Sequence, residues 1–164
     1  MLAILAGGAL YYFQVYAFYD EVGAEAANVQ MVNISTGAAE PILFDGYRGI
    51  DSDSSPLRYR ACYTVAGSLA MLTETYQVLD GAEPRVAPEW FDCFDAGQIG
   101  ADLESGAAIA FLGQEHVRYG IDRIVAVYPD GRAFAWHQIN ACGEVVFDGN
   151  PVPEGCPQPN EGEE

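Results

Sequence analysis

Two histidines, four cysteines and seven arginines carry most of the side-chain chemistry in this 164-residue chain, apart from its 24 carboxylates. There is no lysine, so neither Schiff-base chemistry nor a Walker-type phosphate loop is available. A metal centre wants three or four convergent ligands. His116 and His137 lack neighbours at such spacing, and both are expected to be structural: His137 mid-strand on the face of Ala135 and Ile139, His116 in a loop beside Glu115. The serines sit in no Gly-x-Ser-x-Gly elbow. Asp51, Asp53 and Ser55 imitate the opening of a calcium loop, but Pro56 stands where glycine is needed and Cys62 where a glutamate closes the shell. That stretch reads as a capped turn, with a looser divalent-ion site as its alternative. Arg58, Arg60, Arg118, Arg123 and Arg132 are flanked by Asp and Glu and read as members of surface ion pairs, each contributing ~0–1 kcal/mol. No catalytic residue, metal ligand or cofactor is assigned. The chain reads as a non-enzyme, with a hydrolase using His116 or His137 as the rival of a different class.

Cys62, Cys93, Cys142 and Cys156 never form a C-x-x-C pair, which removes haem-attachment, thioredoxin and zinc-ribbon readings. An even set of this kind in an oxidising compartment reads as two disulfides. Cys142 and Cys156 bracket a Gly/Pro-rich stretch and pair most naturally, leaving Cys62 with Cys93. The chain-entropy model values these closures at roughly 3 and 3.7 kcal/mol. This domain is expected outside the cytoplasm.

The net charge is −17. Such a body is repelled by nucleic-acid phosphates and anionic headgroups, so nucleic acid is excluded as a partner. The charge either keeps the protein dispersed or steers a basic partner.

Residues 1–19 carry no charge. As a helix they would run roughly 28 Å, close to the ~30 Å hydrocarbon thickness of a bilayer. Tyr11, Tyr12, Tyr16 and Tyr19 would form an interfacial aromatic collar. Gly7 and Gly8, with Tyr12 and Tyr16, would make a helix-packing surface. We read 1–19 as a single transmembrane anchor, 20–27 as a linker, 28–156 as the domain and 157–164 as a disordered acidic tail. A cleaved signal peptide and a buried core helix are the alternatives for the opening segment.

The elements that must position these residues follow from periodicity and turn chemistry. Val29–Ile34, "PILF" and "LRYRACYTV" read as strands, the last with Leu57, Tyr59, Ala61 and Tyr63 on one face. "DGYRGIDSDSSP" reads as loop. Val65, Leu69, Leu72 and Tyr76 fall at helical spacing behind Thr64 as cap, and a second helix runs from the N-cap Asp95 to Gly106. "AAIAFLG", the hairpin "IDRIVAVY-PDGR-AFAWHQI" and "EVVFDGNP" read as further strands. The expected fold class is α+β: a small antiparallel sheet with two short helices, stapled by disulfides.

The stretches "SSPLRYRACYT", "LAMLTETYQVLDGAEPRVAPEWFDCFDA" and "YGIDRIVAVYPDGRAFAWHQINACGEVVFDG" resemble an uncharacterised family, a domain of unknown function found in small membrane-anchored proteins of photosynthetic and related alphaproteobacteria. The likeness includes all four cysteines. It implies a periplasmic domain on the bacterial inner membrane and transfers no site residues. One departure is the absence of a basic residue before the span. The expectation for function is a non-catalytic accessory subunit or assembly factor of a larger inner-membrane complex, respiratory or photosynthetic. Its partners would be other membrane subunits. The alternatives are a tethered domain that docks a basic periplasmic protein such as a c-type cytochrome, and the hydrolase named above.

Overall fold

The computed structural model describes residues 19–159. The expected anchor therefore lies outside the described residues except for Tyr19, and so do Gly7, Gly8, Tyr12 and Tyr16. Among the described residues no helix is long and apolar enough to cross a membrane.

Among the described residues, eight strands and three α-helices follow one another as β1 (Asp20–Val22), β2 (Gln30–Val32), β3 (Ala39–Pro41), β4 (Phe44–Asp51), β5 (Arg60–Val65), α1 (Leu69–Thr75), α2 (Ala96–Ser105), β6 (Ile109–Arg118), β7 (Ile121–Val127), β8 (Arg132–Ile139) and α3 (Ala141–Phe147). Six strands form an antiparallel sheet in the order β1-β4-β5-β8-β7-β6, and β2 with β3 makes a separate hairpin. The fold is α+β, as the patterning indicates.

Both faces of the central strands are buried, which is why these strands read as near-continuous apolar runs rather than alternating ones. On one face Tyr59, Ala61, Tyr63, Val125, Val127, Ala133 and Ala135 pack with Met31 of β2 and Leu72 of α1. On the other, Cys62, Ile124, Ala126 and Trp136 pack with Phe91, Phe94 and Ile99. The sheet is thus the middle of three layers, between the small hairpin with α1 and the Trp90–Phe94 segment with α2.

Five elements differ from the sequence expectation. "EVVFDGNP" supplies α3 instead of a strand, giving three helices among the described residues. Asn140 caps α3 by accepting from the Gly143 N–H at 2.9 Å. Gly143 lies so close to Gly120 that neither position has room for a Cβ. Docking of this turn on the sheet, together with the Cys142 link, overrides the β-propensity of Val145 and Val146. "FDGYRGID", rich in turn formers, is β4: the backbone irregularity between Asp45 and Arg48 absorbs Gly46, whose φ is 62°. Val65 ends β5, donating to the Gly131 carbonyl, so α1 starts later behind Ser68, whose side chain accepts from the Met71 N–H. Leu57 sits in a 3-10 turn, Pro56–Arg58, ahead of its expected strand. Residues 20–22, assigned to the linker, pair with β4 as β1. Asp95 caps α2 and Gly106 ends it at φ 81°, in line with the sequence.

Candidate functional site

The β7–β8 register sets Arg123 directly opposite His137. The Arg123 guanidinium lies 4.1 Å above the Tyr59 ring, and the His137 ring stacks on Tyr59 at 4.6 Å. His137 Nδ1 reaches the Pro56 carbonyl at 2.6 Å. Arg123 also donates to the Asn28 carbonyl at 3.0 Å, joining the main sheet to the chain ahead of β2. Burial, reinforced by the Arg123 charge, pushes the His137 pKa down to about 3. The ring is therefore neutral at physiological pH, and both of its nitrogens are engaged by the scaffold. The Tyr47 and Tyr59 hydroxyls meet at 2.9 Å beneath it, and burial raises both phenol pKa values.

His116 lies within β6, not in a loop, at an irregular stretch of the β6–β7 ladder between Gln114 and Arg118. Its φ of 46° belongs to the left-handed region. Its N–H donates to Asp122, and its Nδ1 accepts from the Gly120 N–H at 2.8 Å. Asp122 accepts from Asn140 as well, so His116, Asp122 and Asn140 together shape the turn on which α3 docks.

Two sheet residues hold the segment that follows α1. Gln138 donates to the Gly81 carbonyl and accepts from the Glu83 N–H. Arg60 donates to the carbonyls of Leu57, Tyr59, Arg85 and Val86. Among the described residues neither Arg60 nor Arg123 has an ion-pair partner, contrary to the sequence reading. Strands buried on both faces carry even their charged residues inward, where backbone carbonyls and rings replace carboxylate partners. A charged residue inside an apolar run such as "RACYTV" is the signal that could have found Arg60. Arg132 does pair with Asp130, at 2.8 Å.

The 81–86 segment separates two clefts that share Glu83 and Pro84. One, of about 670 Å³, lies between α2, the start of β6 and residues 78–84; its charged lining residues are Asp80, Glu83 and Glu104, over a floor that includes Leu79, Leu103 and Ile109. The other, of about 560 Å³, is lined by Tyr19, Arg58, Arg60 and Arg85 among others. Tyr19, read as part of the membrane collar, packs edge-on against Trp90 at 5.9 Å.

Disulfides join Cys62 to Cys93 and Cys142 to Cys156. The first ties β5 to the Trp90–Phe94 segment that covers the sheet; the second ties α3 to the chain beyond it. Pro157, expected in the free tail, accepts from the Tyr119 hydroxyl at 2.7 Å. The two disulfides suggest an oxidising, extracytoplasmic location. Asp51 bonds the Ser52 N–H, and among the described residues no group of three His, Cys, Asp or Glu side chains is placed to hold a metal ion.

Comparison with curated proteins and with solved structures finds no match. A family model does match, over residues 29–157, from just ahead of β2 to just past Cys156, and so takes in both disulfides, both histidines, the cleft beside α2 and the lining of the other cleft apart from Tyr19. The chain belongs to that family, the family of unknown function DUF6446.

Proposed function

We propose that this chain is a non-catalytic accessory subunit or assembly factor of a larger inner-membrane complex, respiratory or photosynthetic, anchored by residues 1–19 with its domain in the periplasm. The observation that carries the reading is the cleft beside α2. Every charged residue lining it is acidic (Asp80, Glu83 and Glu104) and its floor is apolar. A basic segment of a partner protein fits such a groove. Carboxylates at the rim speed and orient the encounter, and the apolar floor supplies area that holds the complex once formed. The engagement of His137 and His116 in the scaffold supports binding as the task. A basic periplasmic carrier such as a c-type cytochrome suits the same rim and is the second reading.

The test uses the full chain solubilised in mild detergent, with native gels and mass spectrometry to identify what travels with it. We expect membrane subunits to co-migrate. The double variant Asp80→Arg/Glu104→Arg should release them, as should raising salt to about 0.5 M, where screening acts within a few ångströms. A soluble basic protein as the sole companion selects the second reading. A chain that migrates alone, or a charge-reversed variant that keeps its companions, overturns the docking proposal.

A further inference from the structure

Arg60 is 4 % exposed, yet it has no carboxylate within ion-pair distance among the described residues. Four carbonyl groups hold its N–H groups in place. Carbonyl dipoles satisfy the hydrogen bonds without supplying an opposite charge, Asp51 acts on the guanidinium only from beyond ion-pair distance, and a buried cation with no direct counter-ion is costly. In a chain of net charge −17 a compensating carboxylate would be easy to supply. Instead, Arg60 lies in the wall of the 560 Å³ cleft, with two further arginines around it. Arg85 is exposed and has no carboxylate partner among the described residues. Arg58 sits 5.7 Å over the Tyr19 ring and donates to Ser54. Glu83 is the one acidic residue in this lining, on the wall shared with the other cleft. Three of the chain's seven arginines thus converge on one concavity. Burial, with the Arg85 charge acting in the same direction, lowers the Arg60 pKa to about 10; the group stays cationic at neutral pH.

We infer that this cleft is an oxyanion site that takes a phosphate or phosphodiester group, with Arg85 and Arg58 closing on its oxygens and Arg60 beneath them as the fixed buried charge. Planar guanidinium forks match tetrahedral oxyanions in both geometry and charge. The volume suits a headgroup-sized ligand. The site is a local exception to the repulsion of anions expected from the overall charge. Tyr19, the first described residue, lines the cleft. A lipid headgroup and free phosphate offer the same chemistry there. The lipid source rests on the anchored reading proposed above, and the oxyanion site itself does not.

The experiment follows the arginine Nε–H resonances of the ¹⁵N-labelled full chain in neutral detergent micelles, while inorganic phosphate replaces chloride at constant ionic strength. With seven arginines and no lysine the spectrum is sparse. The Arg58, Arg60 and Arg85 resonances should move and saturate together, while those of Arg48 and Arg132 stay. Arg85→Gln, which changes an exposed side chain and keeps the backbone carbonyl that Arg60 uses, should weaken binding by about tenfold or more with the remaining spectrum unchanged. Resonances that do not respond, a common drift of all seven, or an Arg85→Gln chain that binds as wild type would each overturn the site. Nanodiscs of phosphatidylcholine, with and without phosphatidylglycerol and free of phosphate, identify the source. Shifts confined to the phosphatidylglycerol discs assign a lipid headgroup; a response to phosphate alone assigns a free oxyanion. Arg85→Gln leaves Asp80 and Glu104 intact, so loss of this site and loss of the docking groove are separate results.

Discussion

Arg123 Nε donates to His137 Nε2 at 3.1 Å across the β7–β8 ladder, and this contact fixes the state of the only fully buried histidine among the described residues. Because Nε2 accepts, the ring proton is on Nδ1, which donates to the Pro56 carbonyl. Protonating Nε2 would set a second cation against Arg123 in a buried site. The ring therefore works as a neutral spacer that aligns a guanidinium over Tyr59.

This arrangement has a pH signature. The folded pKa of about 3 is depressed relative to the ordinary ~6.5, so below about pH 6.5 the unfolded chain takes up a proton that the native ring refuses. Stability is complete above that pH and falls as pH drops toward the folded pKa. This group alone removes about 2 kcal/mol by pH 5, at ~1.4 kcal/mol per unit. Urea denaturation at pH 7 and pH 5 should show the loss in wild type and a smaller one in His137→Gln. An NMR titration in which His137 changes charge near pH 6 would contradict it.

His116 is placed by backbone conformation. At φ 46°, asparagine should be tolerated within about 1 kcal/mol, whereas His116→Val should cost about 2 kcal/mol or more from strain at a β-branched residue. Thermal unfolding of the two variants decides this. Equal stabilities would mean that the turn does not depend on that conformation.

Gly120 has φ 76°, and a side chain there would strike the backbone of Gly143. Gly120→Ala should cost about 2–4 kcal/mol, combining left-handed strain with a clash against α3. Hydrogen exchange should localise the loss of protection to α3 and the β6–β7 turn. Uniform loss throughout the sheet would argue that α3 is integral to the core and not docked on it.

Tyr128 donates to the Asp102 carboxylate at 2.6 Å, tying the end of β7 to α2. Asp102 is also held by Gln98, so the carboxylate keeps one partner when the phenol is removed. Tyr128→Phe should destabilise by about 1.5–2 kcal/mol, at the low end of the range for hydrogen bonds to charged groups. Chemical denaturation measures it; an unchanged midpoint would show that solvent replaces the phenol at no cost.

The disulfides should leave no alkylatable thiol in unreduced, denatured protein, and non-reducing peptide maps should join Cys62 to Cys93 and Cys142 to Cys156. The loops they close span 31 and 14 residues, so loss of the first should destabilise more, by about 3.7 against about 3 kcal/mol in the chain-entropy model. Cys62→Ala/Cys93→Ala and Cys142→Ala/Cys156→Ala, compared by denaturant midpoint, test the order.

Local sequence by itself determined the β7–β8 hairpin, through Pro129-Asp130-Gly131 between two apolar runs, and α2, through its Asp95 cap and Gly106 stop. These signals lie within a few residues of one another and need no distant partner. The cysteine pairs were legible too, because four cysteines allow few pairings and one pair bracketed a short segment. Only the tertiary structure decided the rest. "FDGYRGID" is a strand because β5 offers it a ladder, and Ala141–Phe147 is a helix because Gly120 and Gly143 permit contact at a distance that any side chain would forbid. Arg60 and Arg123 read as surface charges because single-residue polarity says nothing about a strand covered on both faces. The clefts were invisible for the same reason: Arg58, Arg60 and Arg85 come together only as the lining of one cleft, and Asp80 and Glu104 only as the lining of the other. Such neighbours are set by how the layers stack, a property of the folded chain that no local pattern encodes.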